Sequence, residues 1–305
     1  MTQASPDFIP PEVRARLKAL QLTARFATGG HGFGQHHSCS RGAGLEFAQY
    51  RAYEPGDELR QVDWKLYARS DRYFVREAER DSPLTAWILV DTSASMAQAD
   101  EARPNWSRLD AARALAACTI ELALRQGDRF GLAALGDAGL QVHAAAAGAR
   151  QRDRCLLQLQ GMSAGGGWPD DAMLEPLWER AAPGHLVLLL HDGFDDRSLA
   201  LAERLAAARR EVVALRILTV GERDFPFRGG YRFRDVESGE EVLGDGEAIR
   251  DGFLERFGAA RQAQVSRLAA SGIRQVEYVM DDEPLDLPLR RLFDPRAALA
   301  HPETA

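Results

Sequence analysis

The sequence predicts an α/β protein built around a doubly wound, mostly parallel β-sheet. Short and continuous apolar runs, such as TAWILVD and HLVLLLHD, are typical of strands that are buried on both faces. Amphipathic helical segments alternate with these runs from about residue 83 onward, which is the order of βαβ units. At 305 residues the chain is long enough for one large sheet domain with an appendage.

Residues 1–82 predict a smaller, β-containing N-terminal extension. Pro10 and Pro11 favour the start of a short helix that runs through Leu22. The glycine-rich stretch TGGHGFGQHHS that follows predicts a loop, because it lacks the GK[ST] of a phosphate loop. Its histidines have neither helical spacing nor a cysteine partner, so a metal site is not expected there; they are His31, His36 and His37. Residues 44–81 alternate apolar and charged side chains, which predicts two strands joined by a loop with a helical turn.

Residues 83–305 predict the sheet domain. Its strands are expected in the segments TAWILVD, DRFGLAALG, GLQVHAAA, HLVLLLHD, EVVALRILT and IRQVEYVM. Helices are expected at about 107–126, 149–160, 170–181 and 247–271, and in the segment SLALAERLAAARR. The segment YRFRDVESGEEVLG predicts a hairpin insertion near 230–244 with a Ser-Gly turn.

Composition excludes several classes of protein. The formal net charge of −7 argues against a nucleic-acid partner. The apolar runs are far shorter than the roughly 20 residues that a membrane-spanning helix needs. The N-terminal residues lack the apolar stretch of a signal peptide, so we expect a cytoplasmic protein without a membrane span. The three cysteines form no CxxC pair and indicate neither a zinc site nor a disulfide framework.

Polar side chains follow two of the predicted strands. The first strand ends in Asp91, and Ser93 and Ser95 come directly after it; Asp192 follows the fourth. In doubly wound sheets, ligands bind beyond the carboxyl ends of the strands, where the strand order reverses. Carboxylate and hydroxyl oxygens suit Mg²⁺ or Mn²⁺, which predicts a metal site at this edge. The alternative is that the two serines only cap the following helix.

A second group of polar and aromatic side chains lies in the N-terminal extension. Tyrosine and tryptophan rings are interleaved there with opposite charges, which favours a partner surface or an interdomain network over a merely solvated surface. These residues are Arg51, Tyr53, Asp57, Arg60, Asp63 and Trp64.

The Asp-x-Ser-x-Ser run resembles the metal-ion-dependent adhesion site of von Willebrand factor A domains, over roughly residues 84–220. That resemblance implies the strand order 3-2-1-4-5. The segments HSCSRGAGLEF, RAY, GD and DW between residues 37 and 64 resemble the signature of the bacterial domain of unknown function 58 family. The FRDVESGEEV hairpin is also similar to that family. This resemblance implies an association with MoxR-type AAA+ ATPases and a role in assembling or activating other proteins.

The chain departs from the adhesion-site pattern in one place. A-type domains usually supply a threonine to the metal from a third loop, commonly after glycines. Here Trp168 follows Gly165–Gly167 at about that position, and an indole ring cannot coordinate a hard cation. Asp170 is the candidate substitute ligand.

The leading interpretation is a non-enzymatic protein-binding or adaptor module. Near Asp91 the sequence shows neither a GxSxG nucleophile elbow nor a Cys–His pair. A Mg²⁺-dependent phosphoryl hydrolase is the alternative, although Ser93 occupies the position where such enzymes place a second aspartate. A dinucleotide-binding fold is disfavoured, because DTSASM rather than a glycine-rich turn follows the first strand.

Overall fold

The computed structural model describes two compact units. It covers residues 8–24, 37–42, 46–53, 62–81, 83–101, 103–137, 139–234, 241–281 and 283–293. The larger unit combines residues 1–22 with 85–305, and the smaller unit comprises residues 23–84. Residues 8–22, which were expected in the N-terminal extension, therefore belong with the larger unit.

The larger unit is organised around a six-stranded sheet. Its strands are β4 (Thr85–Asp91), β5 (Arg129–Leu135), β6 (Gln141–Ala146), β7 (Leu186–His191), β8 (Glu211–Leu218) and β11 (Arg274–Val279). They lie side by side in the order β11-β8-β7-β4-β5-β6. Only the edge strand β6 runs antiparallel to its neighbour. The predicted doubly wound, mostly parallel sheet is confirmed, and so is the 3-2-1-4-5 order of its first five strands.

Helices cover both faces of this sheet. They are α1 (Pro11–Leu17), α3 (Arg108–Gln126), α4 (Ala149–Gly161), α5 (Glu175–Arg180), α6 (Asp196–Ala207), α7 (Val220–Asp224), α8 (Gly246–Ala270) and α9 (Asp286–Phe293). Helix α3 contacts α1, α4 and α9 on one face, and α6 packs with α8 on the other. The hairpin β9 (Gly230–Arg234) and β10 (Glu241–Asp245) precedes α8.

The central strands are apolar because water reaches neither of their faces. Every residue of β7 and β8 is buried, as is all of β4 after Thr85. Trp87 and Leu89 pack into the core under α5 and α6. Helix α3 begins at a capping box formed by Ser107 and Asp110 and ends at Gly127, whose φ of 74° suits a residue without Cβ. The predicted bounds of 107–126 match this helix closely.

Within its described residues, the smaller unit contains a three-stranded antiparallel sheet and one helix. Strands β1 (His37–Gly42), β2 (Glu46–Ala52) and β3 (Phe74–Asp81) lie in the order β1-β3-β2, and α2 spans Trp64–Ser70. Strand β1 occupies residues of the glycine-rich stretch and its continuation, where a loop was expected. His37 is its first residue, whereas His31 and His36 lie outside the described residues.

Several details of the larger unit differ from the sequence-based expectation. Residues 170–181 form a 3-10 turn, Asp171–Leu174, followed by the short helix α5, because Pro176 near the start of α5 interrupts the helical hydrogen bonding. Helices α7 and α9 were not predicted, since each is too short to show a clear periodicity. Among the described helices, none has both the length and the apolar character required to cross a bilayer.

We expect Ile88→Ala to lower the free energy of unfolding by about 2–5 kcal/mol, because the side chain is fully buried in the central strand β4. Chemical denaturation measures this change. Leu243→Ala is the matched control, since its side chain is 77% exposed on β10 and should change the stability by about 0.5 kcal/mol or less. Equal losses in the two variants would contradict the assignment of β4 to the core.

Candidate functional site

Two aspartates meet at the carboxyl edge of the sheet. Strand β4 ends at Asp91, and Asp192 directly follows the end of β7. The two strands are neighbouring and parallel, and Val90 pairs with Leu190, so both chains leave the sheet at the same level. Each aspartate is only 1% exposed. The structure thus brings together the two carboxylates that the sequence analysis assigns to one crevice, at the point where the strand order reverses.

The two serines bring their hydroxyl groups to the same place. The Asp91 Oδ1 atom accepts the backbone N–H of Ser93 at 2.8 Å, which folds the chain back over the end of β4. The Oγ atoms of Ser93 and Ser95 lie 3.0 Å apart, and both side chains are buried. Neither hydroxyl makes the helix-capping hydrogen bond that the alternative interpretation requires in the turn Ala94–Ala97. The result is a compact set of hard oxygen atoms.

Burial and like charge together disfavour the ionised form of Asp91. Removal from water raises the pKa of its carboxyl group to about 7, and the nearby Asp192 carboxylate adds to the increase. The hydrogen bonds from Ser93 act in the opposite direction but are outweighed. A cation close to Asp91 would stabilise the ionised form of its carboxyl group, so the electrostatics of the site favour the binding of a positive charge.

A buried arginine supplies part of that charge. The Arg108 side chain is fully buried, and its Nη1 atom donates to the Ser95 carbonyl at 2.9 Å and lies 3.4 Å from Asp192 Oδ2. Its Nη2 atom pairs with Glu222 on α7. Glu222 in turn accepts the backbone N–H of Thr219 in a capping box. Arg108 therefore links the candidate site to the start of α7.

The glycine loop that precedes Trp168 borders the crevice. Gly165 donates its N–H to the Thr92 carbonyl, and Ala94 donates to the Gly166 carbonyl, each at 2.9 Å. Gly166 adopts a φ of 66°, and a Cβ atom there would overlap the Asp137 carboxylate. This loop therefore lies against the segment that follows Asp91.

The two residues considered after that loop lie in different environments. Trp168 is 3% exposed and packs in the apolar core with Leu135 and Leu174. Asp170 is exposed at the start of the 3-10 turn, and its role as a substitute ligand stays a prediction. Within the described residues, no cluster of three or more His, Cys, Asp or Glu side chains could hold a metal ion.

The aromatic group in the smaller unit is partly described. Asp63 caps α2, since its Oδ1 atom accepts the N–H groups of Lys65 and Leu66, and its Oδ2 atom accepts the Tyr50 hydroxyl at 3.0 Å. Trp64 is 55% exposed. The ring centroids of Tyr53 and Tyr73 lie 6.1 Å apart. Arg51 belongs to β2, but its side chain is outside the described part of the chain, as are Asp57 and Arg60 altogether.

Sequence reasoning missed two arginines of the crevice, although each left a signal. Arg108 is the first residue of α3, where a positive charge opposes the helix dipole and needs a compensating partner. Arg216 lies between apolar residues in the buried strand β8, and arginine is almost never fully buried without a partner. Its Nε atom donates to the Asp192 carbonyl at 2.9 Å.

We expect Asp91 to lower the stability of the metal-free wild type relative to Asp91→Asn as the pH rises from about 4 to 7. The folded protein retains the Asp91 proton up to a pKa of about 7, whereas the usual value for the side chain is 3.8. In this window Asp91 is more protonated in the native state than in the unfolded chain, so its contribution to the loss approaches about 1.4 kcal/mol per pH unit. His191, whose pKa burial lowers to about 4, acts in the opposite direction in both proteins, so the difference between them isolates Asp91. Chemical denaturation of the wild type and Asp91→Asn in EDTA across this pH range measures the difference in their free energies of unfolding. A pH-independent difference between the two proteins would contradict the buried-carboxyl assignment.

We also expect Arg108→Leu to lower the free energy of unfolding by about 3–5 kcal/mol, because it leaves Asp192 and Glu222 buried without their cation. Arg197→Leu is the control, since Arg197 pairs with Asp195 at 2.8 Å but is 56% exposed. Surface pairs of this kind contribute about 0–1 kcal/mol. Urea denaturation compares the two variants, and a similar small loss in both would overturn the role assigned to Arg108.

Comparison with solved structures finds proteins of similar chain path at low sequence identity. The conserved hypothetical protein BatB from Bacteroides thetaiotaomicron has a TM-score of 0.45 at 14% identity, covering 67% of this chain and 94% of that one. The SpRpn10 VWA domain has a TM-score of 0.41 at 14% identity, covering 69% of this chain and 95% of the domain.

Comparison of sequences finds closer relatives. Uncharacterized proteins of Mycobacterium tuberculosis (strain ATCC 25618 / H37Rv) and Mycobacterium bovis are each 30% identical to this chain over 271 residues, covering 86% of this chain and 82% of each relative. The sequence pattern of the family described as "Protein of unknown function DUF58" matches residues 49–264. Because this match spans well over half of the chain, the protein belongs to the DUF58 family.

Proposed function

We propose that this protein is a non-enzymatic binding module that engages acidic groups of other proteins at the carboxyl edge of its sheet. The observation that carries the proposal is the gathering of Asp91, Asp192 and the two serine hydroxyls in one buried crevice. Oxygen atoms arranged in this way can hold a hard divalent cation. These residues lie at the edge of the sheet where doubly wound sheets bind their ligands.

The residues present fit Mg²⁺ or Mn²⁺. Asp91 carries a carboxyl group whose pKa is raised by burial and by Asp192, so its ionised form gains from a nearby cation. We assign Asp91, Ser93, Ser95 and Asp192 as the residues that would hold the ion, directly or through water. Magnesium keeps several waters, so the site does not depend on a ligand at Trp168. The bound cation would supply an open coordination position for a carboxylate of the partner.

The non-enzymatic assignment is supported by the surroundings of the site's hydroxyl and imidazole groups. Within the described residues, the Ser93 hydroxyl contacts the Ser95 hydroxyl and the Asp91 carboxylate, and we assign that carboxylate to holding the cation rather than to proton transfer. His191 is fully buried, and burial lowers its pKa to about 4. Its Nδ1 atom lies 3.3 Å from the Ser198 hydroxyl, but Ser198 is 1% exposed and out of reach of a substrate.

The resemblance described above extends the proposal to the partner. It implies an association with MoxR-type AAA+ ATPases, and we propose that this protein assists the assembly or activation of other proteins together with such an ATPase. Its binding crevice would hold the client or the ATPase through an acidic side chain.

We expect Mg²⁺ to raise the melting temperature of the wild-type protein at pH 8 relative to EDTA, because a ligand that binds only the native state stabilises it. At a Mg²⁺ concentration about 100 times the Kd, the gain is about 2.7 kcal/mol. Asp91→Asn should abolish the gain. Asp251→Asn should retain it, since the Asp251 side chain is 98% exposed on α8. An equal Mg²⁺ effect in the wild type and Asp91→Asn would remove the metal site from the proposal.

Affinity capture then tests the function itself. The wild-type protein in Mg²⁺ should retain an AAA+ ATPase or its client from a lysate of the source cells, and both EDTA and Asp91→Asn should release it. Capture that is indifferent to both changes would place the partner surface elsewhere. Turnover of a phosphate ester that depends on Asp91 would contradict the non-enzymatic assignment.

A further inference from the structure

An exposed aromatic ring stands beside the crevice. Phe194 follows Asp192 by two residues, and 52% of its surface is accessible to solvent. Its backbone N–H donates to Asp192 Oδ1 at 3.0 Å, so the position of the ring is tied directly to a carboxylate of the candidate site. Single exposed apolar residues are common on protein surfaces. Phe194 differs from such residues because hydrogen bonds fix its turn and other side chains support its ring.

The turn that carries Phe194 is held rigidly. Arg216 Nε donates to the Asp192 carbonyl at 2.9 Å, and Gln264 Nε2 donates to the Gly193 carbonyl at 2.7 Å. Gly193 has a φ of 79°, and a Cβ atom at this position would lie 2.8 Å from Arg216 Nε. Only glycine fits this turn without displacing the arginine. Two side chains from separate elements, β8 and α8, therefore fix the backbone on which Phe194 stands.

The ring itself is supported from inside the protein. Its centroid lies 6.4 Å from that of Phe257 on α8 in a stacked arrangement. The guanidinium carbon of Arg108 lies 5.2 Å from the ring centroid, and that of Arg216 lies 6.0 Å from it. Cations over an aromatic face attract it. The outer part of the ring remains in water, so Phe194 is an immobilised apolar surface that a partner can cover at little cost in side-chain entropy.

The charges around the ring select an anionic partner once a cation is bound. Three guanidinium groups, of Arg108, Arg216 and Arg261, stand against four carboxylates, those of Asp91, Asp192, Glu222 and Glu277. This set carries one net negative formal charge, and a divalent cation turns it into one net positive charge. The crevice then attracts a carboxylate, while Phe194 offers an uncharged contact beside it.

We propose that the partner segment recognised here combines an acidic side chain with an adjacent large apolar side chain, and that Phe194 binds the apolar one. This inference rests on the proposed function, because the carboxylate must enter the metal-assisted crevice. Tyr, Trp and Phe are typical central residues of protein interfaces, where a preformed aromatic contact adds specificity to a charged anchor.

Short peptides test the inference with the full-length protein in Mg²⁺. The probes are acetyl-Gly-Asp-Phe-Gly-amide, acetyl-Gly-Asp-Gly-Gly-amide and acetyl-Gly-Asn-Phe-Gly-amide, and ligand-observed NMR registers binding even at millimolar Kd. We expect the Asp-Phe peptide to bind about tenfold more tightly than the Asp-Gly peptide. We also expect the Asn-Phe peptide not to bind, and EDTA to abolish the binding of the two peptides that contain Asp.

Variants separate this inference from the function on which it rests. Phe194→Ser should remove the preference for Asp-Phe over Asp-Gly while retaining the Mg²⁺-dependent rise in Tm, and Phe194→Leu should restore part of the preference. Leu243→Ser is the control for loss of an exposed apolar side chain and should keep the preference. Equal binding of Asp-Phe and Asp-Gly by the wild type, with the Tm rise intact, would overturn the role of Phe194 alone. Absence of the Tm rise and of all peptide binding would overturn the proposed function as well.

Discussion

Two carboxylates buried at the ends of adjacent parallel strands are the constraint on which the rest of the site depends. The register of β4 and β7 keeps Asp91 and Asp192 close together, because both strands are fixed in the centre of the sheet. Like charges in a region of low dielectric need either a proton or a cation. Nearby contacts relieve this repulsion only in part: Ser93 donates its N–H, and Arg108 approaches Asp192 at 3.4 Å.

That arrangement connects the crevice to structure farther along the chain. Arg108 shares its guanidinium between Asp192 and Glu222, so one side chain contacts both the crevice and α7. A second contact fixes the start of helix α7, since the Asp100 carboxylate accepts the N–H groups of Val220 and Gly221 at 2.8 and 3.0 Å. A cation that draws Asp192 towards itself would weaken its pairing with Arg108. Coupling of this kind requires differential contacts in the two states, and Arg108 is the residue that can provide them.

The strands could be predicted because buried parallel strands appear in the sequence as continuous apolar runs. The proximity of Asp91 and Asp192 could be predicted because the carboxyl ends of parallel strands lie at one edge of the sheet. Arg108 could not be placed in the same way. At the start of an amphipathic helix an arginine normally faces water, and only the tertiary fold shows that it turns inward. The strand at His37–Gly42 was missed because glycine and histidine carry little strand propensity, and its pairing with β3 overrides that local preference. The function of the crevice residues stays a prediction.

The two ends of the described chain close the larger unit together. Arg16 on α1 pairs with Asp286 on α9 at 2.7 Å, and both helices contact α3. Leu17 and Leu22 are fully buried, so a chain shortened to begin near residue 83 would leave this side of the core exposed to water. During synthesis, the N-terminal helix has no α9 to pair with until the ribosome has reached Asp286, which follows Arg16 by 270 residues. The nascent protein therefore carries an uncovered apolar face while that length of chain is made.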